Sequence, residues 1–254
     1  MALPTAPTFW LVACFCVLLL GLAKGGFAGV GAVATPILAL LLPPLQAAVI
    51  LLPIIMLQDL ITMIAYRHHL NRWNLMVGIP GGVIGVGLAG LLAAYVTDAH
   101  IRLLIGLIGA SFVIWRWFGP KGGDIGLKPS AASGAFWATI SGFTSTLSHA
   151  GGPPWQVHIL PQNLPKLVLV GTTACFFGAI NYVKLIPFFA LGQFTFDNLA
   201  VSALLIPVAI VTNFLGIWLV RVTPQETFYK IVYVFTFLVS LELIRNGAAT
   251  LWNG

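Results

Sequence analysis

Residues 142–160 read Gly142-Phe-Thr-Ser-Thr-Leu-Ser-His-Ala-Gly-Gly-Pro-Pro-Trp-Gln-Val-His-Ile-Leu160, and they interrupt an apolar run with a small-residue turn and two prolines. Gly151 and Gly152 relax the backbone, and Pro153 and Pro154 suit the first positions of a new helix, where their missing N–H groups are not needed. The stretch therefore predicts a helix start placed inside an apolar region. Such a start carries unpaired N–H groups and about half a positive charge, which attract anions. The donors here belong to Gly151, Gly152, Trp155 and Gln156, because the prolines have none. Irregular backbone at membrane depth is tolerated only where it is buried in protein or lines a cavity, which makes the break a candidate site.

The composition places that break in a membrane. Of 254 residues, 59% are hydrophobic and 7% charged, and the mean hydropathy is +1.00, which leaves too little polar surface for a soluble domain. The expected class is an all-α polytopic membrane protein, with the lipid bilayer as its surroundings. Twelve Lys and Arg against six Asp and Glu give a net charge of +6, but no basic stripe accompanies it, so no nucleic acid partner is expected. Cys14, Cys16 and Cys175 sit in apolar runs and read as small core residues. Phe9 to Ala23 follows a polar start but lacks a basic n-region, and apolar sequence resumes after Lys24, so it is read as part of the mature protein rather than a signal peptide.

Along the chain, Phe9 to Ala23 predicts about 22 Å of helix, short of a ~30 Å hydrocarbon core. Lys24-Gly-Gly-Phe-Ala-Gly-Val-Gly31 breaks it, and Ala32 to Leu42 predicts a second short helix. The pair makes a broken hairpin over 9–42, followed by full spans at 45–66, 75–95 and 101–118. A Gly/Pro/Lys linker at 119–129 then divides the chain. The order repeats in the second half: a broken hairpin over 130–160, then spans at 166–186, 196–220 and 228–246. A shift of 122 places Ala28-Gly29 on Ala150-Gly151, Leu42-Pro43 on Leu164-Pro165 and Asp59 on Asn181, and a shift of 126 places Gly90 on Gly216 and Val96-Thr97 on Val222-Thr223. The repeats are thus 1–118 and 130–254.

Orientation follows from the basic loops. Arg67, Arg72, Arg116, Lys121 and Lys128 mark cytoplasmic loops in the first half, and Lys166 with the Arg221 to Lys230 loop does so in the second. Corresponding loops then face opposite sides, which predicts two inverted-topology repeats, each with a re-entrant broken hairpin and three full transmembrane helices, and both termini extracytoplasmic. Broken helices that meet near the midplane are a transporter architecture.

The same segments carry a family resemblance. Lys24 to Gly31 followed by Thr35-Pro-Ile-Leu38, and His149-Ala-Gly-Gly-Pro-Pro154 followed by Asn181, Lys184 and Pro187, resemble the paired signatures of the TauE/SafE sulfite exporter family, within the 4-toluene sulfonate uptake permease superfamily. The resemblance covers nearly the whole chain. It implies export of sulfite, sulfoacetate or a related sulfur oxyanion by a small multi-pass protein of the bacterial inner membrane. Gly29-Val-Gly-Ala-Val33 is less dense in glycine than in many relatives, and Trp155 is bulkier than the aliphatic residue expected there, so the particular anion stays open.

The residue chemistry agrees with an anion. Two helix starts facing a midplane cavity, formed around Gly25, Gly26, Gly29 and Gly31 and around Gly151 and Gly152, could replace the hydration shell of an oxyanion with N–H donors. Lys24 is either a substrate contact or an interfacial lysine that snorkels, and Lys184, near the end of its span, is expected first to snorkel. Asp59 is the one acid well inside a predicted span; it is protonated, paired with a group such as Lys24, or part of a proton path, and so is the candidate for proton coupling. His149 is a substrate contact or bonds the turn, His158 is structural, and His68 and His69 are solvated loop residues. Trp155 is a candidate cavity wall, whereas Trp73, Trp115 and Trp117 fit interface belts. The glycines of Gly78 to Gly90 read as close helix packing.

Other classes are weighed on the same residues. Five histidines and a carboxylate could serve a divalent metal-ion transporter, and the fold would equally serve an uptake permease for an organic anion. No H-E-x-x-H, C-x-x-C or G-x-S-x-G motif appears, so no resident metal, cofactor or enzyme activity is expected. A homo-oligomer is compatible with the sequence. With the cytoplasm negative, each exported negative charge gains about 2.3 kcal/mol per 100 mV, so export needs no coupling ion whereas uptake does.

Overall fold

A computed structural model describes residues 6–27, 31, 34–92, 97–118, 130–148, 150–190 and 195–253. Its elements are α1 (Pro7–Gly25), α2 (Ala34–Leu38), α3 (Pro44–Ala65), α4 (Arg72–Leu92), α5 (Asp98–Phe118), α6 (Ala131–Ser148), α7 (Gly152–Ile159) with a 3-10 turn at Leu160–Gln162, α8 (Lys166–Ala190), α9 (Phe196–Val222) and α10 (Gln225–Asn253). The described residues contain helices and no strands. Six helices, α1, α4, α5, α8, α9 and α10, are long and apolar enough to cross a membrane, and α3 adds a shorter apolar stretch. The protein is an all-α polytopic membrane protein.

Element order follows the sequence reading, with informative differences in length. α1 has 19 residues, about 28 Å at 1.5 Å per residue, so it reaches the span length that Phe9 to Ala23 alone falls short of. It gains this by starting on Pro7 and by keeping Lys24 and Gly25 in its last turn. Its end is a Schellman turn: Gly26 N–H donates to Ala23 O at 3.2 Å and Phe27 N–H to Leu22 O at 3.0 Å. Gly26 has φ 142°, a conformation that side chains resist, which is why the break falls there. α2 is described over 34–38 and gives way to turns and a bend at 39–42, where helix was expected to continue, while 32 and 33 lie outside the described residues. α10 is longer than 228–246, at 29 residues. The linker 119–129 lies outside the described residues.

Without a hydrophobic drive between helices in lipid, close packing and polar contacts must hold the bundle together. Glycine supplies the packing at two crossings. On α4, Gly78, Gly81, Gly82 and Gly85 share the buried face; a Cβ on Gly85 would lie 2.1 Å from Thr139 O, and one on Gly142 of α6 would lie 2.1 Å from Gly82 O. At the α1/α9 crossing, a Cβ on Gly25 would lie 2.5 Å from Gly216 Cα. Contacts of rising residue number on both partners make each of these pairs parallel: Gly21 with Thr212 and Gly26 with Val220, and Gly81 with Ala135 and Gly85 with Phe143.

α3 and α8 touch each other at the centre, and α3 also lies on α9 as α8 does on α4. The α3/α9 seam is polar: Gln46 donates to Asn198 Oδ1 at 3.0 Å, Ser202 to Ile50 O at 2.8 Å and Asn213 to Thr62 Oγ1 at 3.1 Å. The α4/α8 seam is apolar, with Phe176 and Ile180 closing on Gly78 and Gly82. One sequence match fails here. Gly216 lies against Gly21 and Gly25, whereas Gly90 faces open space, so the shift of 126 does not pair equivalent packing positions.

The α4 glycines separate two effects within one helix. Gly85→Ala forces α4 away from α6 and is expected to cost about 1–3 kcal/mol of stability. Gly90→Ala meets nothing within 4 Å and should be neutral or stabilising by up to about 1 kcal/mol. Melting curves of the two purified variants check this, and equal midpoints would show that the crossing is looser than described.

Candidate functional site

The break between α6 and α7 is held by the hydroxyls that precede it. Ser141 Oγ donates to Gly151 O at 2.7 Å, Thr144 Oγ1 lies 3.3 Å from Ala150 O, and Ala150 N–H donates to Thr144 O at 3.3 Å. The Ala150 and Gly151 carbonyls and the Ala150 N–H are therefore satisfied inside the protein, as lipid surroundings demand. The turn leaves Gly152 at the start of α7 with nothing within 4 Å of a Cβ position.

That open side is a cavity of about 160 Å³ lined by residues of both hairpins, α3, α8 and α10. Lys24, Gly26 and Gly31 reach it from the first hairpin, Ser145, Gly151, Gly152 and Gln156 from the second, and Asp59, Thr173, Phe177 and Asn181 from α3 and α8. Its remaining walls are largely aliphatic, with Leu20, Ile55, Leu169 and Val239 among them.

A chain of buried polar contacts runs along one wall. Lys24 Nζ lies 2.7 Å from Asp59 Oδ1, and that oxygen has no hydrogen bond from another described group. Asn181 Nδ2 donates to Asp59 Oδ2 at 2.7 Å. Lys184 Nζ donates to Asn181 Oδ1 at 3.2 Å and to Ser145 O and Oγ at 2.8 and 2.6 Å. The chain thus ties α1, α3, α8 and α6 together, and it pairs Asp59 directly with Asn181, its counterpart under the shift of 122.

Both lysines also answer helix ends. Ser145 O is among the last carbonyls of α6, which have no partner within the helix, and the Lys184 ammonium fills that need. Lys24 sits in the last turn of α1, where a positive charge offsets the negative end of the helix dipole, and Tyr66 Oη donates to Gly25 O at 3.3 Å. Lys184 is 1% exposed and does not snorkel, because α8 continues past it to Ala190. It is absent from the cavity lining, whereas Lys24, with its side chain 19% exposed, lines it and lies 5.9 Å from the Phe177 ring centroid.

The other expected residues divide. Gln156 lines the cavity with its Nε2 buried and unpartnered among the described residues, while its Oε1 is met by the Thr236 hydroxyl. Trp155 is fully buried but points elsewhere: its ring stacks on Phe176 at 3.8 Å, and its Nε1 donates to Thr173 Oγ1 at 3.1 Å. Gly25 is consumed by the α9 crossing. Gly29 and His149 lie outside the described residues. His158 joins a buried network with Asn74 and Gln162, at 2.9 and 3.2 Å. On the first hairpin the described part of α2 is Ala34–Leu38, its approach at 32–33 lies outside the described residues, and Lys24 is the cation that reaches the cavity from that side.

Ser145, Thr173 and Phe177 are cavity residues that the sequence reading did not single out. The signal for two of them is helical spacing: Thr173, Phe177, Asn181 and Lys184 fall on one face of α8. Ser145 lies within the 142–160 stretch, where its small side chain reads only as part of the turn.

Replacing Lys184 tests the tie between α8 and α6. Lys184→Met removes the donor from Ser145 O and Asn181 Oδ1, and an orphaned buried acceptor costs about 1–3 kcal/mol. The melting midpoint of the purified variant is expected to fall clearly; an unchanged midpoint would show that the ammonium is dispensable to the fold.

Comparison with known proteins adds the family. No curated protein and no solved structure matched the chain. The family model described as "Sulfite exporter TauE/SafE" matches residues 13–243, a range that includes the first hairpin from residue 13 on, all of the second, the central helices and every residue of the buried polar chain. With that coverage, and with six helices fit to cross a membrane, the chain belongs to the sulfite exporter TauE/SafE family of membrane transporters.

Proposed function

We propose that the protein exports a small sulfur oxyanion, such as sulfite, sulfoacetate or a related organosulfonate, across the bacterial inner membrane through the cavity between the two hairpins. The observation that carries this reading is the Lys24 ammonium in the cavity wall, with Gly152 at the head of α7 and the unpartnered Gln156 amide in the same lining. An ammonium, a helix start and an amide N–H can together replace part of the water around an oxyanion. A divalent cation would meet that ammonium instead, and among the described residues no three of His, Cys, Asp and Glu converge on one point.

An inverted repeat of 1–118 and 130–254 accounts for the packing. Parallel α1/α9 and α6/α4 pairs exchange with one another under the repeat, as do the α3/α9 and α8/α4 contacts, and Asp59 meets Asn181 where the two halves join. The hairpins then open toward opposite faces. His69 O lies against Gly171, and Lys166 Nζ bonds Val220 O and Arg221 O at 2.8 and 2.9 Å, which gathers three basic loops on one face. By the positive-inside rule that face is cytoplasmic, so both termini are extracytoplasmic.

Export needs no coupling ion energetically, since about 2.3 kcal/mol per 100 mV favours the exit of each negative charge. In proteoliposomes loaded with sulfite, an inside-negative potential should accelerate efflux, Lys24→Ala should slow it at least about tenfold, and Lys24→Arg, which keeps the charge, should retain more of it. Absence of sulfur-oxyanion efflux under any gradient, or a wild-type rate in Lys24→Ala, would sink the proposal. Topology has its own test. Trp252 is 90% exposed, and Trp252→Cys in a cysteine-free background should react with an impermeant maleimide added outside intact spheroplasts; labelling only after lysis would invert the orientation.

A further inference from the structure

The buried chain holds two lysines, Lys24 and Lys184, and one acid, Asp59, which is ion-paired with Lys24 at 2.7 Å. Among the described residues Asp59 is the sole acid in the cavity lining; of the other described acids, Asp98 opens α5, Asp197 lies in the first turn of α9, Glu226 in the first turn of α10, and Glu242 bonds Arg245. The charged groups facing Asp59 are Lys24 from α1 and, through Asn181, Lys184 from α8.

Asp59 cannot turn away from an incoming anion. Its Oδ1 is held by Lys24 and its Oδ2 by Asn181, and the residue is completely buried. An anion that reaches Lys24 consequently meets a stationary carboxylate in the same cavity lining. A dianion brings one more negative charge than a monoanion beside that carboxylate, in a cavity whose other walls are mainly aliphatic, where opposing charge is costly.

We infer that Asp59 sets the valence of the transported anion, admitting monoanions such as a simple sulfonate or hydrogen sulfite and rejecting dianions such as sulfate and, among the anions named above, sulfoacetate, whose sulfonate and carboxylate are both ionised at neutral pH. This rests on the export reading above and adds to it a residue that decides between substrates. A purely structural Asp59, present only to hold Lys24, would leave the preference between two anions of equal shape unchanged.

Methanesulfonate and sulfate supply that pair: they have nearly the same size and tetrahedral shape, and each keeps its charge across neutral pH. Efflux of each from proteoliposomes is measured with the membrane potential clamped at zero, so that the second charge adds no driving force. Wild type is expected to move methanesulfonate at least about tenfold faster than sulfate, and Asp59→Asn, which keeps the shape and removes the charge, to raise the sulfate-to-methanesulfonate ratio at least about tenfold. Asp59→Glu should keep the wild-type ratio. Equal wild-type rates overturn the inference while leaving export standing, as does an Asp59→Asn protein that carries methanesulfonate with an unmoved ratio. Wild type that moves neither anion overturns the export reading and the filter together. Should Asp59→Asn fail to fold, the wild-type ratio and Asp59→Ser decide in its place.

Discussion

A charge in a lipid-embedded protein must find its counter-charge and its hydrogen bonds inside the protein, because the desolvation cost is several kcal/mol per ion. Here that requirement is met by the run from Lys24 through Asp59, Asn181 and Lys184 to Ser145, which joins one helix of each hairpin to the two central helices. The arrangement places two lysines and a carboxylate in one buried stretch with oxygen or nitrogen partners throughout. It also sets how the hairpins sit, since α1 and α6 are anchored to α3 and α8 through their C-terminal turns. Lys184 is the anchor on one side, buried and fully engaged; Lys24 is the anchor on the other and keeps a face toward the cavity.

Close helix approach is the second constraint. Gly25 with Gly216, and Gly82 and Gly85 with Gly142 and Thr139, let α1 meet α9 and α6 meet α4 with backbone in contact. Small residues on those faces allow dispersion contacts to do what the hydrophobic effect does in water. Tight packing at these outer crossings contrasts with the space left between the hairpins, where Gly152 meets no neighbour and the cavity opens. One residue type thus serves closure at the crossings and vacancy at the break.

The cavity wall mixes an ammonium, a carboxylate, amides and hydroxyls with a larger share of aliphatic and aromatic side chains. Such a surface suits a ligand with a compact charged head, and membership in the sulfite exporter TauE/SafE family agrees with that chemistry. Trp155 illustrates how the same stretch divides its labour: its ring is stacked on Phe176 as part of the core, while the next residue, Gln156, is among those that line the cavity.

Much of this was legible from residue order. Hydropathy gave the membrane, the Gly/Pro breaks gave the hairpins, and the shift of 122 that equates Asp59 with Asn181 anticipated two polar side chains that bond each other. The α4 glycines announced a packing face by their spacing alone. Local sequence could not decide which lysine faces the cavity, because both lie near breaks or helix ends and only the continuation of α8 beyond Lys184 and the position of Ser145 bury one of them. Nor could it assign Trp155, whose direction depends on Phe176 from another helix, or reject the pairing of Gly90 with Gly216, which differ in what packs against them. Element order and chemistry come from composition and periodicity, which are local; the choice of cavity residue is made by contacts between helices far apart in the chain, and those exist only once the bundle has closed.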